Sequence, residues 1–335
     1  MVGQAIDRDA KSAYGVGPVR RVRRRSSRVL SVARRFRQEA IDEIDDHAIR
    51  MVSWRRRCGP GDARVAPARR DPDPLADRFG EMEGAFELIC EVEPATQPDL
   101  MKVRHQVGVL APVATRFLIP DNHIGRATVS SIAVAHEVAL MGGRAIACVN
   151  ARDRNVLGFR RDLLTASAYG VGEVLFVYGD RPETGRRSDD LTVRKMMDLA
   201  REFSAEQDWP LRIGVSCGLG TVQPWKYEAD AWYVQVSYSA DELATWRRGI
   251  EFGGAVYAGV MVIPSARMAR KLSADVPQLS VPRDLVEMVD RDPNAGVEFA
   301  ANLIDSIRRT DEFDGVHLVP VSRYREIAAA LIDRR

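Results

Sequence analysis

From residue 86 onward, short runs of Val, Ile, Leu and aromatic residues recur at regular intervals, and within each run the apolar positions are continuous rather than alternating. Continuous runs of this length suit strands buried on both faces. They predict strands over 86–92, 115–119, 144–149, 173–178, 211–216, 231–236, 255–262 and 315–319. Helical patterns fall between most of them, over 129–141, 156–169, 191–204, 240–252, 266–273, 297–308 and 324–332. In ASAYGVGEV and WRRGIEFGGAV a glycine follows the helix and leads into the next strand, as a helix C-terminus requires. Strand then helix, repeated, implies a parallel sheet. Eight such units in about 250 residues predict a (β/α)8 TIM barrel. A doubly wound open sheet is the alternative, but no G-x-G-x-x-G follows the first strand.

A barrel carries its chemistry at the C-terminal ends of its strands. The polar residues there are Glu91 and Glu93, Asp121 and Asn122, Asn150 and Arg152, Asp180, Gln235, and Ser322 and Arg323. The stretch VLFVYGDRPETG ends its strand on Gly179 and Asp180, two residues that favour a turn. Taken alone, that pair reads as a turn.

Charge changes the picture only at the start of the chain. Residues 1–80 hold 19 Lys/Arg against 11 Asp/Glu, a net of +8, and the remainder is mildly acidic at −6. An acidic bulk argues against a nucleic-acid groove across it. The first 80 residues are rich in Arg, Gly and Pro and poor in apolar periodicity, a composition that predicts disorder, with a weakly amphipathic helix over 31–49. A basic tail for anionic partners, a mitochondrial-type presequence and an over-long start compete there. The last is favoured, with the working domain over 82–335. Cys58, Cys90, Cys148 and Cys217 are widely spaced, with no C-x-x-C pair and no metal-ligand spacing. No apolar run reaches membrane-span length. The expectation is a cytoplasmic protein with reduced thiols, no metal, no membrane and no nucleic-acid partner, with a monomer as the simplest state.

The segments CEVEPAT, CVNARDRNVLGFRRDLLTASAYGVGEVLFVYGDRPETG, AWYVQVSY, AGVMVIPS and GVHLVPVSR, in that order, resemble methylenetetrahydrofolate reductase. The likeness is greatest to the folate-reductase half of the bifunctional homocysteine methyltransferase relatives and to divergent short actinobacterial members. It covers residues 86–333, and 151–182 is its most specific part. The resemblance implies that Glu91 is the general acid and that Glu93 takes the place of the aspartate in the family's E-x-D-P-P pattern, with Ala95 in place of the second proline. It also implies that Asp180 contacts the pterin and that Gln235 and Arg323 contact the folate. These roles suit the chemistry: opening the methylene bridge to an iminium needs a proton at N10, and a fixed carboxylate favours the cation that receives hydride.

The departures concern the cofactor. Most of the family binds FAD, and Cys148 stands here where many relatives have histidine, Asn150 where threonine is common, and Tyr178 where flavin-binding members often have arginine. The segment 217–230 is much shorter than its counterpart in FAD-binding relatives, where a helix holds the adenosine side. The resemblance therefore implies direct hydride transfer from NADH to methylenetetrahydrofolate without tightly bound flavin. Asp121, Asn122, Asn150, Tyr178 and Gly179 are the candidates for the cofactor. The same reaction through bound FAD and a non-catalytic pterin-binding barrel are the alternatives. Retention of both Glu91 and Asp180 speaks against the latter.

Overall fold

The structure, a computed structural model, describes residues 86–334. The expected basic extension, its helix over 31–49 and the domain start near residue 82 lie outside the described residues.

Eight strands form a closed barrel in sequence order, all neighbours parallel, with β8 closing onto β1. They are β1 (Glu87–Glu91), β2 (Arg116–Ile119), β3 (Ala145–Asn150), β4 (Glu173–Val177), β5 (Arg212–Cys217), β6 (Ala231–Val236), β7 (Ala255–Met261) and β8 (Gly315–Val319). Among the described residues the α-helices are α1 (Met101–Leu110), α2 (Ser131–Leu140), α3 (Val156–Ala168), α4 (Val193–Glu206), α5 (Ala240–Arg248), α6 (Ala266–Asp275), α7 (Arg283–Arg291), α8 (Ala295–Thr310) and α9 (Tyr324–Ile332). Every strand and helix expected from residue 86 onward is present. The helix expected over 240–252 stops at Arg248, where Gly249 follows.

Two helices were not foreseen. α1 buries Val103, Gln106, Val107 and Leu110, a helical stripe interrupted by a glutamine and with Gly108 between its last two members. α7, RDLVEMVDR, buries only Leu285 and Val289 and lies between Pro282 and Pro293. Four helices start on side-chain caps: Asn155, Thr192, Ser239 and Ser265 each accept from the backbone N–H three residues on.

The strands divide their residues between two cores. Outward positions such as Cys90, Ile119, Phe176, Val215, Val260 and Leu318 pack under the helices. Inward positions Ile89, Leu118, Ile146, Cys148, Leu175, Tyr233 and Tyr257 fill the barrel. Gly214 makes room for this filling, since a Cβ there would come within 2.5 Å of the Tyr233 ring. At the N-terminal end the barrel is plugged by Arg116, fully buried and bonded to Glu87, Glu173 and Tyr257.

Candidate active site

Strand alternation carries the inward side of β1 from Ile89 to Glu91, two residues on, at the C-terminal mouth. Glu91 is mostly buried, its side chain 17% exposed, and its Oε2 lies 3.4 Å from Nε2 of His317. His317 is on β8, in register with Ile89, so it enters the barrel one step below the carboxyl. Its Nε2 is sealed from solvent and has no hydrogen bond. Tyr233 presents a ring edge to the imidazole at 6.1 Å between centroids. Nearby, burial, then the charges of Glu91 and Asp121, push the Cys148 thiol well above its ordinary range, so it remains protonated.

The loops after β2, β3 and β4 interlock into one wall of the mouth. Asp121 Oδ2 accepts from the Asn150 backbone N–H at 2.9 Å, Asn150 Nδ2 at 2.8 Å and Arg154 Nη1 at 2.7 Å. Asn150 Nδ2 also donates to Asp153, and its Oδ1 accepts from the N–H groups of Arg152 and Asp153. The hydrogen-bonding capacity of Asn150, 1% exposed, is thus spent within the protein. Asn122, at φ 47°, accepts from the Thr128 N–H and donates to Asp153.

Gly179 has φ +90°, a conformation that glycine takes without strain, and packs so that a Cβ would lie 2.8 Å from Asn150 Cβ. It delivers Asp180, whose Oδ2 accepts the Ile124 N–H at 2.9 Å. Ile124 is a β-branched residue in the left-handed region, φ 51°, and is exposed. Asp180 therefore braces a strained loop with one oxygen. Its other oxygen has no partner among the described residues.

The remaining expected residues are spread around the rim. Gln235, two residues after inward-facing Tyr233, is exposed, and its side chain makes no hydrogen bond among the described residues. Arg323 precedes α9 and pairs with Glu326 at 2.8 Å. Although burial opposes it, this pairing holds the Glu326 carboxyl below its ordinary range. Glu93 is turned to Lys102 of α1, 2.7 Å away, while Gln106 clamps its backbone. Tyr178 is exposed and carries the guanidinium groups of Arg152 and Arg187 near its ring, at 4.7 and 5.3 Å.

The geometry brings Glu91 together with His317, a residue that strand-end reading missed. A polar residue in mid-strand gives no turn signal. The parity of β8, with Val316 and Leu318 facing the helices, is the clue that places His317 inside.

The connection from β5 to β6 contains a single 3-10 turn, Pro224–Glu228, and no α-helix. Its Tyr227 packs edge-on against Trp232, which stacks on Phe252 at 3.8 Å. Among the described residues no three His, Cys, Asp or Glu side chains form a metal cluster, and no helix is long and apolar enough to cross a membrane. A concavity of about 1190 Å³ opens at the opposite, N-terminal end of the barrel, between the starts of β3 to β7. It contains none of the strand-end polar residues, and the mouth is the better candidate because barrel enzymes place their chemistry there.

No known protein family matches the chain, and no curated protein matches it. Solved structures do. An uncharacterized protein from Clostridium thermocellum that binds two copies of 5-methyl-5,6,7,8-tetrahydrofolic acid is similar over 78% of this chain and 98% of its own, with TM-score 0.53 and 11% identity. The spore cortex-lytic enzyme SleL of Bacillus cereus is similar over 74% of each chain, with TM-score 0.45 and 10% identity. The chitinase ICChI from Ipomoea carnea is similar over 74% of this chain and 99% of its own, with TM-score 0.42 and 11% identity. At 11% identity the likeness to the first of these shows the fold alone, in agreement with the closed parallel sheet: this chain is a (β/α)8 barrel.

Proposed function

We propose that the barrel binds a reduced folate at its mouth and reduces 5,10-methylenetetrahydrofolate to 5-methyltetrahydrofolate, taking hydride directly from NADH without tightly bound flavin. One observation carries the reading: Glu91 is a mostly buried carboxyl at the mouth whose Oε1 has no partner among the described residues, as a proton donor to substrate needs. The Clostridium thermocellum neighbour supports the ligand class, since it binds the product of this reaction.

Glu91 gives its proton to N10 of the substrate, the bond from N10 to the methylene carbon breaks, and the resulting iminium carbon accepts hydride. Asp180 accepts hydrogen bonds from the pterin on its unpaired oxygen, and its charge favours the iminium. Gln235 offers donor and acceptor together from the facing rim. Arg323, Tyr178 and the backbone at Gly179 border the same opening. Asp121, Asn122 and Asn150 hold the wall in shape, and Glu93 with Lys102 lies at the edge. FAD would supply a relay for the hydride in related enzymes. The β5–β6 connection, with no α-helix N-terminus to receive a pyrophosphate, does not fit that cofactor's usual seat, which supports the flavin-free reaction.

The test is to purify the full chain and follow NADH oxidation that depends on methylenetetrahydrofolate. A colourless protein with turnover is expected, and Glu91→Gln is expected to lower kcat by about 10²- to 10⁴-fold while 5-methyltetrahydrofolate still binds. A yellow protein whose flavin is reduced by NADH would replace this reading by the FAD-dependent one. A chain that binds folate without oxidising NADH would leave a pterin-binding barrel.

A further inference from the structure

We propose that His317 is a positioning residue for Glu91: it holds the carboxyl through Oε2, so that the proton for transfer resides on Oε1. The inference rests on the reading of Glu91 as the acid.

A buried ring nitrogen without a hydrogen bond is costly and calls for an explanation. In His317 that atom is Nε2, and Glu91 Oε2 faces it at 3.4 Å. The gap is slightly long for a hydrogen bond, as catalytic contacts often are before substrate closes the site. Among the described residues no other group lies within hydrogen-bond reach of Nε2. Tyr233 from β6 meets the imidazole with a ring edge, and Cys148 from β3 remains a neutral thiol. The other inward positions of β8 are Gly315 and Val319, so the strand offers the ring no polar partner of its own. If packing were the only demand, an aliphatic side chain would fill the place between Ile89 and Tyr233 without burying an unmet donor.

The arrangement has a consequence for the proton step. An acid that can rotate presents either oxygen to N10, and a donor fixed on Oε2 removes that freedom. After Oε1 passes its proton to N10 and the bond from N10 to the methylene carbon breaks, Glu91 is a carboxylate. The Nε2–H donates to Oε2 and steadies the new charge until a proton from water resets the acid. His317 touches neither folate nor nicotinamide in this scheme.

Two variants of the full chain test the proposal, with thermal unfolding used to confirm that each folds. His317→Leu removes the donor, and His317→Gln returns an amide N–H near the same place. The expected result is a fall in kcat of roughly tenfold or more in His317→Leu, KM for methylenetetrahydrofolate within about twofold, and partial recovery of kcat in His317→Gln. An unchanged kcat in folded His317→Leu, or a raised KM with kcat intact, overturns the proposal. So does a His317→Gln variant no faster than His317→Leu. A second measurement stands apart from turnover: the ¹⁵N imidazole signal of His317, assigned by its loss in His317→Gln, is expected to shift in Glu91→Gln. If wild-type protein oxidises no NADH, the reductase reading fails, and this signal alone decides the contact. A shift sustains the pairing of His317 with Glu91, and no shift overturns it.

Discussion

Glu91 and Asp180 were readable from the chain because each is a carboxylate placed directly at the end of an apolar run. What the chain did not show is how differently the two are held. Glu91 is sunk beside His317, whereas Asp180 is exposed and spends one oxygen on the Ile124 N–H. That second bond joins residues far apart in sequence, and no local pattern announces it. His317 stayed hidden for a related reason, because its inward direction follows from the register of β8 on β1. Gly179, in contrast, keeps the turn role that its sequence suggests and adds a packing role against Asn150. Gly179→Ala forces a side chain into φ +90° and against a Cβ 2.8 Å away, so a loss of about 2 kcal/mol is expected. Urea unfolding of the variant checks it. A loss within error would mean that the loop can re-form without the left-handed turn.

At the scale of elements, all eight strands were legible because burial on both faces writes a continuous apolar run that few other structures share. Helices with a broad apolar face, such as α8, were equally plain, whereas α1 and α7 were not. α7 carries an amphipathic set, Leu285, Val286, Met288 and Val289, but confines it to nine residues between Pro282 and Pro293, too short a run to stand out from a loop. α1 places Gln106 in the middle of its buried stripe, and a sequence reading takes a polar residue there as a break. The structure explains the glutamine: its Oε1 accepts the Glu93 N–H at 3.0 Å and its Nε2 donates to the Glu93 carbonyl at 3.2 Å. Gln106 thus ties α1 to the chain leaving β1, two residues beyond the proposed acid. Gln106→Met keeps the volume and removes both bonds, leaving part-buried backbone groups unmet. Destabilisation of about 1–3 kcal/mol is expected in urea unfolding, together with a lower kcat as the end of β1 loosens. A variant as stable as the wild type would show that water replaces the clamp without cost.

Over the described residues, the barrel carries a charged plug at one end and the mostly buried Glu91 carboxyl at the other, separated by a layer of buried tyrosine and aliphatic side chains. The plug is legible only in three dimensions, since Arg116, Glu87, Glu173 and Tyr257 come from four strands. Burial opposes the charge of Arg116, but Glu173, the neighbouring tyrosines and Glu87 outweigh it and keep the guanidinium protonated. The same burial acts on the weak acids of both cores. It pushes Tyr257 up to about 12, aided by the hydrogen bond to Glu87 and opposed by Arg116, and it pushes Cys90 up to about 12. Tyr233 is also raised, again chiefly by burial. In the unfolded chain a thiol loses its proton near pH ~8.5 and a phenol near ~10. Between those values and about 12 the folded barrel therefore holds more protons than the unfolded chain, and its stability falls as pH rises. Below about pH 8 the contribution is fully present. Cys90 alone is expected to contribute a loss of roughly 2–3 kcal/mol in urea unfolding between pH ~8 and ~10.5, and Cys148, Tyr233 and Tyr257, raised in the same way, add to it. Cys90→Ala, less stable throughout because it leaves a small cavity, is expected to lose less over the same interval, since the thiol no longer titrates in the unfolded state. A wild-type midpoint that stays constant to pH ~10.5 would mean that the barrel admits hydroxide or ionised side chains without unfolding, contrary to the dry core that its packing describes.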